Sequence, residues 1–575
     1  MSTRDHGGSG RVRDLCQRLR PVIGAQADRV WLAYLAEEAD GKEQIEEYLE
    51  LLFAQHFQGS LQAETPGLVP PESTAAAGEY VLGSVSYNGR VLYPFGLREN
   101  EWTQHVGVFG RSGAGKTNIG FLIVQELVRA GKPLLVFDWK RNYRDLLTMP
   151  GMEKMAVYTI GRPIAPFSFN PLIPPPLTNP HTWLKKIIAV VAHAYLLGDG
   201  VMYLLQEAID QVYDQAGVYA GSVDHWPTFR DVLAVLKARQ TSGREAGWLS
   251  SALRAMSSLC FGEMDTLVNV GHVDLAGLLT RPVILELDAL TQSDKVFFAE
   301  AVLLWIHHFR MAEPTREELK HIVVLEEAHH LLSGERQALV GGQSVLDITF
   351  REIREFGESI VYLDQHPSQI SMPALGNTYA TICFNLKHRA DVSAMSQAML
   401  LQDEEKNLLG ELQVGQAVVR LQGRSVRPFM IAVPEFLIRK GAVTDIDVIH
   451  HMTQLGLLSA RKHAPVPGPG ATTNPSEKTS TAGMISDQGA PPEQLLLFDI
   501  AHYPDSGIAE RYKRLGISVR QGQKLKDELL SQGLIQEELQ TTPRGKVRII
   551  RLTEQGQLAL PRPSSDDSDR VCQRK

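Results

Sequence analysis

A parallel α/β fold is the class this sequence predicts, and three observations predict it. Between His105 and about Pro434, short apolar runs alternate with helical stretches, the pattern of strands buried on both faces. The first run, "HVGVFG", leads through a glycine-rich loop into a helix, "TNIGFLIVQELVRAG". Another, "IVVLEE", ends in two acids, which places carboxylates at the C-terminal edge of such a sheet.

A chain of 575 residues is long enough for two or more domains, at least one with a large core. With 43% apolar and 22% charged residues and a net charge of −8, the composition is that of an ordinary globular protein. Such a balance excludes a globally basic chain, so any nucleic-acid surface has to be local. Cys16, Cys260, Cys383 and Cys572 form no CxxC pair, which excludes a cysteine-built zinc ribbon and favours a reducing compartment. The N-terminal residues have no apolar signal core, and the stretch "IIAVVAHAYLLG" is too short to span a bilayer. The expected location is the cytoplasm, without a membrane anchor.

Taken in order, residues 10 to about 57 read as helical, with "QIEEYLELLFAQHF" amphipathic, and a loop follows. "YVLGSVSYNGRVLYPFGL" alternates like a hairpin around Asn88-Gly89. Five buried strands are expected: "HVGVFG", "PLLVFDW", "PVILELD", "HIVVLEE" and "SIVYLDQ". Between the second and third lies a helical insertion, about 179–279. The Pro/Gly/Ser/Thr tract from Ala464 to Glu493 can bury little and reads as a flexible linker. The expected organisation is therefore 1–79, helical region and loop; 80–460, α/β domain; 461–494, linker; 495–561, a compact unit; 562–575, a disordered polar tail.

The most specific signal is Gly110-Arg111-Ser112-Gly113-Ala114-Gly115-Lys116-Thr117, a complete G-x-x-x-x-G-K-[ST] between a strand and a helix. Its glycines let backbone N–H groups converge on phosphate oxygens, and the helix N-terminus adds a positive dipole end. Lys116 is expected at the β- and γ-phosphates and Thr117 at Mg²⁺, with Asn118 completing the nucleotide-binding stretch. Such a cradle needs a carboxylate near the cation and a group that polarises the attacking water. Glu326 is assigned to the Mg²⁺ shell, partly through water, and Glu327 to base or water positioning. A metal site in "EEAHH" is the alternative: a helix from Ala328 would put Glu326 and His330 on one face. The two histidines are adjacent, however, and no third ligand stands at a motif spacing.

These motifs resemble the HerA/FtsK superfamily of hexameric DNA-pumping ATPases, closest to its HerA-like branch, from about Tyr80 to Val433. "LLVFDWKRNYRDLL" is similar to the family's strand ending in an Asp, a Lys and a polar turn, and "PVILELDAL" to the strand before the activating one. "VVLEEAHHLL" carries the family's acid-Glu-Ala-His, with Glu326 where aspartate is commoner. "TFREIREFGESIVYLDQHPSQIS" is similar to its Arg-Glu-x-Arg-x-x-Gly helix, strand and Gln-x-Pro segment, and "LGELQVGQAVVRLQGRSVRPFMIAVP" to its closing strands. The resemblance implies a RecA-like P-loop ATPase core, ATP and Mg²⁺ as cofactors, a homo-hexameric ring and duplex DNA as partner. It places Gln365 beside Lys116 and Glu327 as a γ-phosphate sensor, and Asp364 where the family more often has a small or hydroxyl residue. It also calls for an arginine finger in trans, with Arg141, Arg144, Arg351, Arg354 and Arg389 as candidates. Two departures stand out. The archetype begins with a barrel, of which only the hairpin at Tyr80–Leu97 is reminiscent, and membrane-tethered relatives have spans that are lacking here.

The last unit reads as a winged helix: "IAERYKRLG", then "SVRQGQKLKDELLSQG", then two strands around Pro543-Arg544-Gly545-Lys546. From Arg511 to Arg551 ten basic residues face four acidic ones, a phosphate footprint on an acidic chain. Arg520, Lys524, Arg544, Lys546 and Arg548 are the DNA-contact candidates; protein docking and a solvated basic surface are the other readings. The leading expectation is an ATP-driven DNA translocase or helicase that feeds DNA to, or activates, a separate nuclease or effector, in DNA processing or anti-phage defence. The alternatives are an ATP-switched DNA-binding regulator and a ring scaffold, neither of which translocates.

Overall fold

The computed structural model describes residues 5–56, 68–271, 273–333, 350–425 and 427–458, and beyond them 496–497, 499–501, 508, 511–512, 515, 519–542, 545–553 and 555. The chain divides into two compact units, residues 1–464 and 465–575. The expected linker and tail lie outside the described residues.

The first unit opens on three helices, α1 (Asp5–Ile23), α2 (Gln26–Ala36) and α3 (Ala39–His56). Their apolar faces meet in a small core around Val12, Leu19, Tyr34, Leu49 and Phe53, which also takes in Tyr87 of the hairpin. After the single turn α4 (Ser73–Ala76) come β1 (Tyr80–Tyr87) and β2 (Arg90–Leu97). Asn88 and Gly89 between them have φ of 46° and 79°, the two consecutive left-handed residues that a tight hairpin of this twist needs.

The core elements follow: β3 (His105–Phe109), α5 (Lys116–Arg129), β4 (Leu134–Asp138) and β5 (Ala156–Thr159). The helical insertion is α6 (Pro180–Tyr195), α7 (Asp199–Gln215), α8 (Phe229–Ala238), α9 (Arg244–Leu259), α10 (Gly262–Val268) and α11 (Leu275–Leu278). It starts where Asn179 accepts from the backbone N–H groups of His181 and Thr182, with Pro180 at the first helical position. Then come β6 (Val283–Glu286), the buried α12 (Gln292–Met311), β7 (His321–Glu326), β8 (Glu358–Asp364), β9 (Thr378–Cys383), β10 (Gln416–Leu421) and β11 (Phe429–Ala432).

All eleven strands form one sheet in the order β2-β1-β11-β10-β9-β3-β8-β7-β4-β6-β5. The seven from β9 to β5 are parallel, and β10, β11, β1 and β2 continue antiparallel. This is a RecA-like P-loop core. Strands β3, β4, β6, β7 and β8 are buried at every position, which is why they read as unbroken apolar runs. The hairpin likened to small-barrel strands instead extends the core sheet, with Ser84 opposite Ala432. Two parallel strands escaped the sequence reading. "AVYT" is only four residues long, and "TYATIC" breaks its apolar run with buried threonines. No helix among the described residues is long and apolar enough to cross a membrane.

In the second unit the helix Val519–Ser531 is followed by the antiparallel hairpin β12 (Ile535–Thr542) and β13 (Gly545–Leu552). Leu496, Ile500, Leu529, Ile535 and Ile550 make its core, and Arg511 is buried against Asp499 at 3.0 Å. Helix then hairpin is the order expected of the second helix and wing. Of "IAERYKRLG" only Ile508, Arg511, Tyr512 and Leu515 are described, and the tip Pro543-Arg544 lies outside the described residues.

Candidate active site

Because β8 lies between β3 and β7, the turns after these three strands open side by side at one edge of the sheet. The loop after β3 is the glycine-rich one, with φ of 76° at Gly113 and 123° at Gly115. A Cβ at Gly110 would stand 2.7 Å from Phe384 Cβ, and one at Gly115 3.0 Å from Phe384 Cε1, so Phe384 presses the loop where only glycine fits. Arg111 clamps it to the segment after β9, donating from its backbone N–H to Asn385 O at 2.7 Å and from Nε to Asn385 Oδ1 at 2.7 Å. Lys116, at the N-terminus of α5, donates from Nζ to Gly110 O at 2.5 Å and Arg111 O at 3.0 Å. Burial pulls its pKa down to about 8, against the opposing charges of Glu327 and Asp364.

Four adjacent parallel strands each end in a buried acid: Asp364 on β8, Glu326 on β7, Asp138 on β4 and Glu286 on β6. Three of them are compensated, each differently. Asp364 accepts from His329 N at 2.6 Å and faces His329 Nδ1 at 2.8 Å. Burial disfavours the imidazolium of His329, but the bond to and charge of Asp364 outweigh it and raise its pKa. Asp138 accepts from the backbone N–H groups of Lys140 at 3.2 Å and Tyr143 at 2.8 Å, shaping the turn after β4. Burial, with Glu286 nearby, still lifts its pKa to about 6. Glu286 binds Arg144 through both carboxylate oxygens, 2.6 and 2.5 Å, and Arg162 at 2.5 Å. Glu326 has no fixed cation. Burial and the charges of Asp138 and Glu327 push its pKa up to about 8, with Lys140 and Asn142 opposing.

Glu327 sits just past β7 in a left-handed conformation, φ 50° and ψ 48°. Only a single 3-10 turn, Ala328–His330, follows it. The helical face that would have joined Glu326 to His330 is therefore not formed, and His330 instead stacks on Trp139 at 5.6 Å. Among the described residues no group of three or more His, Cys, Asp and Glu could hold a metal ion. Glu327 Oε1 accepts from Gln365 Nε2 at 2.7 Å and from Lys140 Nζ. Lys140, Asn142 and Asp138 were visible in sequence only as a polar strand end, without assigned roles.

These groups line a cleft of about 660 Å³ that includes Ser112, Lys116, Thr117, Glu326, Glu327 and Gln365. The chain after β11 closes its other side with Glu435 and Lys440, which carried no sequence signal. Asn118 also lines the cleft, but its amide holds that chain: Nδ2 donates to Pro434 O at 2.7 Å and Oδ1 accepts from Phe436 N at 2.6 Å. Thr117 and Glu326 line the same cleft, and a hydroxyl together with a buried carboxylate that has no fixed cation is a donor set that fits a hydrated divalent cation.

The arginine candidates separate. Arg144 is corrected: it is buried and engaged with Glu286 and, through Nη1, with Asp445 at 2.6 Å, all within its own chain. Arg351 and Arg354 are exposed before β8, at the sheet edge opposite the cleft. Arg141, 4.0 Å from Asp288, and exposed Arg389 follow β4 and β9, at the same edge of the sheet onto which the cleft opens. In the second unit Lys524 is exposed, 3.9 Å from Glu528; Arg520 shares its helix, Lys546 and Arg548 lie on β13, and Arg544 is outside the described residues.

Residues 80–188 match the family described as the central domain of helicase HerA. No curated protein matches the chain. Among solved structures it is similar to VirB4 of Thermoanaerobacter pseudethanolicus, at 15% identity and TM-score 0.48 over 62% of this chain and 96% of that one. It is also similar to the bacterial conjugative coupling protein TrwB lacking its first 70 residues, at 12% identity and TM-score 0.47 over 63% and 90%. TrwB in complex with ADP and Mg²⁺ matches at 13% identity and TM-score 0.46, over 62% and 91%.

Proposed function

We propose that this chain, HerA-type in its core over residues 80–188, is an ATP hydrolase that moves or unwinds duplex DNA as a hexameric ring. The observation that carries the reading is the single cleft uniting the phosphate loop with Glu326, Glu327 and Gln365. Loop N–H groups and Lys116 hold the β- and γ-phosphates, and Thr117 and Glu326 flank the cation position. Mg²⁺, when bound there, neutralises charge on the phosphate oxygens. Glu327 takes the proton of the attacking water, whose oxygen bonds to the terminal phosphorus as the bond to the bridging oxygen breaks. ADP and inorganic phosphate leave. Gln365, already bonded to Glu327, both orients that carboxylate and reads the terminal phosphate. Arg141 or Arg389, on the sheet edge onto which the cleft opens, is the arginine lent to a neighbour. The basic excess between Arg511 and Arg551 supports DNA contact by the second unit, and a separate nuclease or effector receives the DNA.

The test is ATP hydrolysis with and without duplex DNA, for wild type and Glu327→Gln. The motor reading expects stimulation by DNA and a loss of at least a hundredfold in the variant, with nucleotide binding retained. Intact nucleotide binding without stimulation by any DNA would sink it. Sizing the chain with an ATP analogue tests the ring, since a strict monomer has no neighbour to lend an arginine.

A further inference from the structure

We infer that Lys140 is a positioning residue that restrains Glu327 until a terminal phosphate draws it away. The inference rests on the ATPase reading above. Lys140 is carried by the turn 138–143, which Asp138 builds by accepting from the backbone N–H groups of Lys140 and Tyr143. That turn aims the lysine back across β7, where its ammonium is bonded to Glu327 Oε1. The same oxygen accepts from Gln365, so one face of the carboxylate is fully used, and Oε2 lies 3.8 Å from His329 Nδ1. A carboxylate oxygen that already accepts from an ammonium and an amide N–H has that face closed to the proton of an attacking water.

Lys140 nevertheless lines the same cleft as Lys116, and its side chain is half exposed. Lys116 is tied to loop carbonyls beside the phosphate position, while Lys140 stands on the side where β7 and β8 end. A terminal phosphoryl group carries roughly twice the charge of a carboxylate and three acceptor oxygens. It therefore competes for Lys140 where the β-phosphate, seated deeper in the loop, does not. Triphosphate binding moves the ammonium from Glu327 to the phosphate and frees the base in one step. Diphosphate leaves the restraint in place. Lys140 thus separates the two nucleotides before any chemistry occurs.

The experiment compares Lys140→Ala, Lys140→Arg and wild type for binding of a fluorescent ADP and of a β,γ-imido ATP analogue, each with Mg²⁺, together with kcat and KM. Lys140→Ala is expected to weaken the analogue at least tenfold and ADP less than twofold, and to lower kcat, with unfolding unchanged. Lys140→Arg, which keeps the charge and reach, restores most of the discrimination. Equal weakening of both nucleotides, or no change in either, overturns the inference while leaving the ATPase reading standing. A wild-type chain that binds neither nucleotide overturns that reading and this inference with it.

Discussion

Replacing Arg144 by methionine asks whether this arginine belongs to its own fold or to a neighbour's reaction. Glu286 is fully buried and accepts three charge-assisted bonds, two from Arg144 and one from Arg162. The substitution removes two of the three and leaves a carboxylate with no water to turn to. Breaking one side of a buried pair costs about 3–5 kcal/mol. The surviving Arg162 bond puts the expectation near the lower end, about 3 kcal/mol, or roughly a hundredfold in the folded-to-unfolded ratio. Urea unfolding followed by tryptophan fluorescence reads it. Because a methionine and a leucine can share the vacated volume, Arg144→Met with Glu286→Leu should recover about 2 kcal/mol relative to additivity in a double-mutant cycle. Additive effects, or a single variant within about 0.5 kcal/mol of wild type, would refute the stability argument. A variant with wild-type stability but lost hydrolysis would return Arg144 to the list of fingers.

Gly115→Ala places a side chain at φ 123° and 3.0 Å from Phe384 Cε1, so nucleotide affinity should fall at least tenfold while the far-UV spectrum stays unchanged. Burial of Glu358 favours its neutral form, but the charge and bond of His321 and then Arg310 overcome this and hold its pKa below the ordinary value. Its stabilising contribution is thus complete above about pH 4.3 and lost as pH falls through the lower folded pKa. Glu358→Gln should flatten the urea midpoint against pH in that acid window. For the second unit, Lys546→Ala should reduce the slope of log affinity against log salt by about 1 on duplex DNA; an unchanged slope would point to protein docking instead.

What the sequence made legible follows from how strongly each element constrains its own residues. The phosphate loop admits only glycine at positions pressed by Phe384, so its spacing survives as a readable string. Strands buried on both faces need unbroken apolar residues, so β3, β4, β6, β7 and β8 were readable, whereas β9 satisfies burial with Thr378 and Thr381 bonded to each other at 2.9 Å. Glu327 was readable as an acid after a strand, but its left-handed backbone was not, and the turn it opens is tied by the bond from His329 N to Asp364, 35 residues further along the chain. The same contact gives Asp364 the role its position in the motif left open. Lys440 and Glu435 reach the cleft only because Asn118 and Asp145 hold the chain after β11. Asp145 does so by accepting from Gly441 N at 2.7 Å, a pairing that no local pattern announces.

The four acids at the sheet edge carry the argument one step further. Asp364, Glu326, Asp138 and Glu286 stand side by side on β8, β7, β4 and β6, all buried, and a buried carboxylate without a partner is costly. Three are compensated from within the fold: by an imidazole, by backbone N–H groups and by two guanidinium groups. Glu326 alone has no such fixed counter-charge, and it is the one that opens, with Thr117, onto the cleft. A fold that fully satisfied all four would be more stable and would leave no demand for an incoming cation. The glutamate in place of the commoner aspartate acts in the same direction. Its extra methylene carries the carboxylate further from the strand end than an aspartate would place it, which suits meeting a hydrated cation through water. Glu326→Asp should therefore weaken Mg²⁺-dependent nucleotide binding more than Mg²⁺-free binding. Equal weakening in EDTA and in Mg²⁺ would show that the residue shapes the cleft without meeting the cation.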